Sequence, residues 1–127
     1  MSDPDTGTAD ATDERAPASA TDDRPISLAD AAELDALVAD RDLVLVECFT
    51  EGCGICASME PVLGNVARVT DATVALVNPR DDPELIDRFT IQSVPTLLLF
   101  VEGELVARLA DGFQGVEAVV AFVESNR

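Results

Sequence analysis

Two cysteines three apart, in Cys53-Gly54-Ile55-Cys56, constrain this chain more than anything else in it. They follow the apolar run Leu43-Val44-Leu45-Val46 and precede a stretch of helical periodicity. The pair therefore falls where a strand ends and a helix begins. A thiol there meets the positive end of a helix dipole and unpaired backbone N–H groups, which favour thiolate over thiol. A thiolate attacks a disulfide, and a second thiol one turn along resolves the mixed disulfide. The pattern points to reversible transfer of an electron pair, and away from hydrolysis or metal chemistry.

The rest of the composition narrows this further. There is no histidine, which removes His-based triads, His metal sites and imidazole acid–base catalysis. Three cysteines fall short of the four ligands that zinc wants, leaving only a metal shared between chains. An odd cysteine count with two in C-x-x-C fits a reducing interior better than a secreted disulfide framework. Acids outnumber bases 25 to 8, all eight bases are arginine, and the net charge is −17. Such a surface repels nucleic acid and anionic membranes. The excess fits a soluble protein with an acidic face, or, the favoured expectation, adaptation to high salt, where screening removes the self-repulsion that loosens a fold. The start, Met1-Ser2-Asp3-Pro4-Asp5, lacks the basic and apolar stretches of a signal peptide. The longest strongly apolar run, Leu97-Leu98-Leu99-Phe100-Val101, is far too short to span a bilayer. The expectation is a cytoplasmic monomer with no nucleic-acid or membrane partner.

Residues 1–24 are mostly Asp, Thr, Ala, Ser, Pro and Gly with almost no large apolar side chain, so a disordered acidic tail is expected there. The chain as a whole is 47% apolar, enough for one core, which is expected over residues 25–127. Pro25-Ile26-Ser27 reads as a short strand, followed by helical spacing of Ala31, Leu34, Leu37 and Val38 behind a cap at Asp30. Leu43 to Phe49 reads as a buried central strand. A helix follows from about Cys53 to Arg68, with Pro61 inside it as the site of a kink. Thr73 to Val77 is a strand, and Pro83 to Phe89 a short helix with proline in its first turn. Thr96 to Val101 and Glu104 to Ala110 form a hairpin across Glu102-Gly103. A last helix carries Val116, Val119, Val120 and Val123 on one side. The order β-α-β-α-β-α-β-β-α gives an α/β fold with a mixed central sheet flanked by helices.

With these elements in place, the chain resembles the thioredoxin family. Val44-Leu45-Val46-Glu47-Cys48-Phe49 stands where that family has the strand leading into its C-G-P-C. Pro61 matches its helix-kinking proline, and Ile91-Gln92-Ser93-Val94-Pro95-Thr96-Leu97-Leu98-Leu99-Phe100 resembles its I-x-x-x-P-T-L-L-L-F. Gly103 and Gly112 fall near its hairpin and loop glycines. The chain departs from the family at Gly52, where a tryptophan is usual, at Ile55, where proline is usual, and at Leu76, where a lysine often stands.

The resemblance implies a thioredoxin fold and a protein-disulfide reductase. Cys53 is then the exposed nucleophile, with a pKa below the ordinary ~8.5, and Cys56 the buried resolving thiol. Glu47 holds the position of the family's buried aspartate, and a carboxylate in apolar surroundings exchanges protons near neutrality. Pro95 corresponds to the family's cis-proline, leaving the Val94 backbone to pair with an extended client. Gly52, Gly54, Ile55 and Gly112 complete the client-binding rim. Cys48, next to Glu47 on the strand, faces the other way as a small hydrophobe, and Phe89, Phe100, Phe113 and Phe122 read as core. No bound cofactor or metal is implied beyond the Cys53–Cys56 redox pair. The implied partners are disulfide-containing client proteins and a thioredoxin-reductase-type electron donor. Other readings are a disulfide oxidase or isomerase, a glutaredoxin-like protein, and a non-catalytic thioredoxin-like adaptor or redox sensor.

Overall fold

The computed structural model describes residues 24–127. Apart from Arg24, the tail expected over residues 1–24 lies outside the described residues. The chain runs β1 (Ile26–Leu28), α1 (Ala31–Asp40), β2 (Leu43–Cys48), α2 (Gly54–Val69), β3 (Thr73–Val77), a 3-10 turn (Pro79–Asp81), α3 (Pro83–Phe89), β4 (Thr96–Val101), β5 (Glu104–Leu109) and α4 (Val116–Asn126). The element order is the one the hydrophobic pattern predicts, with boundaries displaced by a residue or so.

The five strands form one sheet in the order β1-β3-β2-β4-β5. The two helical crossovers make β1, β3 and β2 parallel, and β4 and β5 are antiparallel additions. Strand β2 therefore lies in the centre, and every residue in it is buried. Its side chains alternate between two cores. Leu43 and Leu45 pack with Met59, Leu63 and Val66 of α2 and Val119 and Val123 of α4. Val44, Val46 and Cys48 pack with Leu34 and Val38 of α1 and Leu85 and Phe89 of α3. Phe89 and Phe100 meet edge to face at 5.9 Å, a favoured aromatic geometry.

Aspartate side chains fix the starts of α1 and α3. Asp30 caps α1, its Oδ1 accepting from the Glu33 N–H at 2.9 Å, while Glu33 reaches back to accept from the Ala29 N–H at 2.8 Å. Asp82 caps α3 through the Glu84 N–H at 3.2 Å, and its other oxygen accepts from the Ala31 N–H at 2.9 Å. One carboxylate thus ties the heads of two helices together. The Glu102-Gly103 turn has positive φ at both residues, 51° and 87°, the twist that two-residue hairpins favour. The Glu102 N–H donates to the Asp42 carbonyl at 2.8 Å, which anchors a non-glycine residue in that conformation. Strand β5 is an edge, largely exposed, with Leu105 and Val106 open to solvent.

One expectation fails. Phe113 is 53% exposed rather than core. It follows Gly112, whose φ of +82° turns the chain between β5 and α4, and no periodic element carries the ring inward. Phe122 is half-buried against the α2–α4 core.

Removing the Asp82 carboxylate leaves the Ala31 and Glu84 N–H groups without their partner. We expect Asp82→Ala to lose about 1–2 kcal/mol in urea unfolding, and Asp82→Asn, which keeps an accepting oxygen, to lose less than half of that.

Candidate active site: a cysteine pair at the head of a helix

Cys53 is the N-cap of α2. Its sulfur accepts from the Cys56 N–H at 3.1 Å and its carbonyl from the Ala57 N–H at 3.1 Å. The residue before it, Gly52, has φ +82°. That conformation favours glycine, so the reversal into the helix accounts for the residue type there. Cys53 and Cys56 are joined by a disulfide with Cα atoms 5.2 Å apart, inside the range a disulfide needs. Cys53 is half-buried, whereas Cys56 is 3% exposed. Gly54 and Ile55 lie on the outer surface between them, Ile55 with 48% of its area open. The helix continues through Pro61 to Val69.

Behind the cysteines lies a cleft of about 220 Å³ lined by Glu47, Cys53, Cys56, Glu60 and Leu76, among others. Glu47 is 1% exposed, and its Oε2 is buried without a hydrogen-bond partner among the described residues. Burial first, and the neighbouring Glu60 carboxylate second, push its pKa up to about 7. Across the β2–β3 ladder its partner is Leu76, so the wall beside it is apolar. Cys48 faces the opposite core at 1% exposure. Burial, followed by the charge of Glu47, pushes its thiol up to about 12, with Arg108 opposing.

Thr96 pairs with Cys48 in the β2–β4 ladder. The preceding Val94–Pro95 peptide bond is cis and enters the sheet at the end where β2 leads into the cysteine loop. Val94 and Thr50 line a second cleft, of about 260 Å³. The Cys53 N–H donates to the Thr50 carbonyl at 3.4 Å, so this cleft borders the cysteine loop as well. Gly112 lines neither of these clefts. Its loop is tied to α2 by the Gln114 N–H, 3.4 Å from the Met59 sulfur. Among the described residues no three His, Cys, Asp or Glu side chains converge as a metal site, and no helix is long and apolar enough to cross a membrane.

Three residues that line these clefts escape a reading by motif: Glu60 in the first, Arg80 in the second and Thr50 in both. Only Glu60 leaves a trace in the sequence, because it follows Cys56 by four residues and so shares its helix face.

The thioredoxin family model matches residues 25–125. The chain belongs to the thioredoxin family. A thioredoxin of Alicyclobacillus acidocaldarius is 38% identical over 98 residues, covering 76% of this chain and 91% of its own length. One from Mycobacterium tuberculosis is 35% identical over 97 residues, covering 75% and 83%. A solved thioredoxin of Halobacterium salinarum superposes with a TM-score of 0.79 at 34% identity, covering 86% of this chain and 96% of that one. With its cysteine pair in bonding geometry, this family member is a thiol–disulfide oxidoreductase that reduces protein disulfides. The redox group is the cysteine pair itself, and thioredoxins use it without a bound cofactor. Disulfide-containing substrates and a reductase donor belong to that activity.

The raised pKa of Glu47 has a stability consequence. Between pH 4.5, its ordinary value, and about 7 the folded chain holds a proton that the unfolded chain has released. Stability contributed by this group therefore falls as pH rises through that window, by roughly 3 kcal/mol in all. Glu47→Leu removes the titration. We expect its stability relative to the parent to rise across that window and stay level above and below it, as read from urea melts at a series of pH values. Glu60→Gln removes the second cause of the shift. Carbon NMR of the Glu47 carboxyl should then titrate below its parent value of about 7.

Proposed function

We propose that Cys53 attacks the client disulfide and that Cys56 resolves the mixed disulfide, with Glu47 taking the proton of Cys56. The observation that carries this is the asymmetry of the pair. Cys53 is half-exposed at the N-terminus of α2, where its sulfur accepts a backbone N–H, and Cys56 is buried behind it beside the cleft that holds Glu47. Backbone N–H groups and the helix dipole stabilise the Cys53 thiolate once the pair is reduced.

In the forward reaction the Cys53 thiolate attacks one client sulfur. The client S–S bond breaks and its other sulfur leaves as a thiolate, which takes a proton from solvent. Cys56 then gives its proton to the Glu47 carboxylate and attacks the Cys53 sulfur. The mixed disulfide breaks, the second client thiolate departs, and Cys53–Cys56 is oxidised. The client gains two electrons and the pair loses two. Glu47, with a pKa of about 7, is close to half-ionised at neutrality, so it both accepts and returns a proton readily. An outside reductase restores the dithiol.

An extended client segment lies beside the loop, its backbone pairing with Val94 ahead of Pro95. Gly52 and Gly54 give the reacting sulfur a low rim, Ile55 adds an apolar contact, and Gly112 belongs to the far rim. We read the protein as a cytoplasmic monomer without nucleic-acid or membrane partners. Its charge of −17 suits high salt. Its likeness to the solved protein from a halophile supports that assignment.

Cys56→Ser blocks the second step. Incubated with a disulfide protein such as insulin, the Cys56→Ser chain should accumulate a mixed disulfide through Cys53, seen by mass spectrometry. The Cys53→Ser chain should accumulate none. Capture through Cys56 in that second variant would reverse the roles.

A further inference from the structure

The arginines of this chain are unevenly employed. Arg41 binds Asp40 and the Thr73 hydroxyl, Arg88 binds Asp35 and Glu84, and Arg127 reaches Asp71 and Glu124. Arg68 donates to Asn65, and Arg108 to the carbonyls of Phe89 and Thr90. Arg24 adjoins the segment outside the described residues. The guanidinium of Arg80 has no acceptor among the described residues, although acids crowd the sequence around it. Asp82, two residues on, is occupied by the Ala31 and Glu84 N–H groups.

The backbone at Arg80 is also held in place. Its backbone N–H donates to Asn78 Oδ1 at 2.9 Å, in a 3-10 turn whose Pro79 is buried. It lines the cleft of about 260 Å³ together with Ile86, Ile91, Val94 and Thr50. Ile86 leaves 36% of its area open. The cleft thus combines apolar walls with one unpartnered cation. It borders the cysteine loop through Thr50, and Val94 stands beside the proposed client strand. Elsewhere the surface of a chain with charge −17 repels an acidic segment.

We propose that Arg80 and the apolar walls of this cleft form a specificity subsite for client segments that carry an aspartate or glutamate near an apolar residue beside the disulfide. The subsite rests on the reading that Cys53 attacks client disulfides. A carboxylate seated there pairs with the guanidinium, while the adjoining apolar side chain covers Ile86 and Ile91. The pair stays partly exposed, so its effect is a preference among clients, not a requirement for turnover. Because the attraction acts while the client docks, it is salt-sensitive.

The test uses peptide disulfides that carry glutamate, glutamine or lysine at successive positions on either side of the attacked cysteine. Reduction is followed at the lowest salt in which the chain keeps its native circular dichroism. The readout is the ratio of kcat/KM for the glutamate peptide to that for the lysine peptide. At one or more positions this ratio should be about fivefold higher for the parent than for Arg80→Gln, and lower again for Arg80→Glu. Arg68→Gln has the same net charge as Arg80→Gln and should keep the parent ratio. A parent ratio equal to that of Arg80→Gln at every position would overturn the subsite. So would an equal shift in Arg68→Gln, which would assign the effect to net charge. Failure of the parent to reduce even the glutamine peptides would instead overturn the underlying reductase reading.

Discussion

Burial of the central strand on both faces is the constraint from which the site follows. Every residue of β2 is enclosed, so its alternation has no freedom to slip: a shift by one would carry Glu47 to the other core and Cys48 to the cleft. With the register fixed, Glu47 lies on the α2 side, next to the helix that bears both redox cysteines. The sheet thus delivers a carboxylate beneath a dithiol, and the same packing that holds it there strips it of water. Its proton affinity is a product of the core rather than a feature added to it.

The two helix faces around that strand divide the work. The α2–α4 side holds the chemistry. The α1–α3 side holds Cys48, the Asp82 clasp and, at its edge, the turn that presents Arg80. Electrostatic character differs accordingly. Acid meets acid at Glu47 and Glu60, with Leu76 where a base would have balanced them. On the other side Arg80, with acids as its sequence neighbours, has no acceptor for its guanidinium among the described residues.

Much of this was legible in the residues. Strand β2 and helix α3 announce themselves through an unbroken apolar run and through proline in the first helical turn, and the hairpin through Glu102-Gly103. The cysteines are legible because disulfide exchange uses two thiols at that spacing, and Pro95 because the segment around it resembles the family's. Gly52 was harder. In the sequence it stands only as a missing tryptophan, and its backbone angle shows a turn that favours glycine. Phe113 misled because an aromatic residue near a periodic helix suggests burial, yet the ring precedes the helix and no face claims it. Arg80 was silent because its significance is the lack of a partner, which depends on where acids from distant parts of the chain come to rest. Glu60 was half-visible, being placed by helical spacing but given meaning only by the carboxylate across the cleft.

Cys48 carries a further consequence. Once Cys53 and Cys56 are bonded to each other, it is the sole thiol in the chain. With its ionisation pushed up to about 12 and its sulfur sealed between helices, it is mute to alkylating reagents while the sheet stays closed. Any labelling of the oxidised protein must therefore pass through an opening of that core. The chain has a native stopwatch for its own breathing, read by one sulfur and undisturbed by the two that carry electrons.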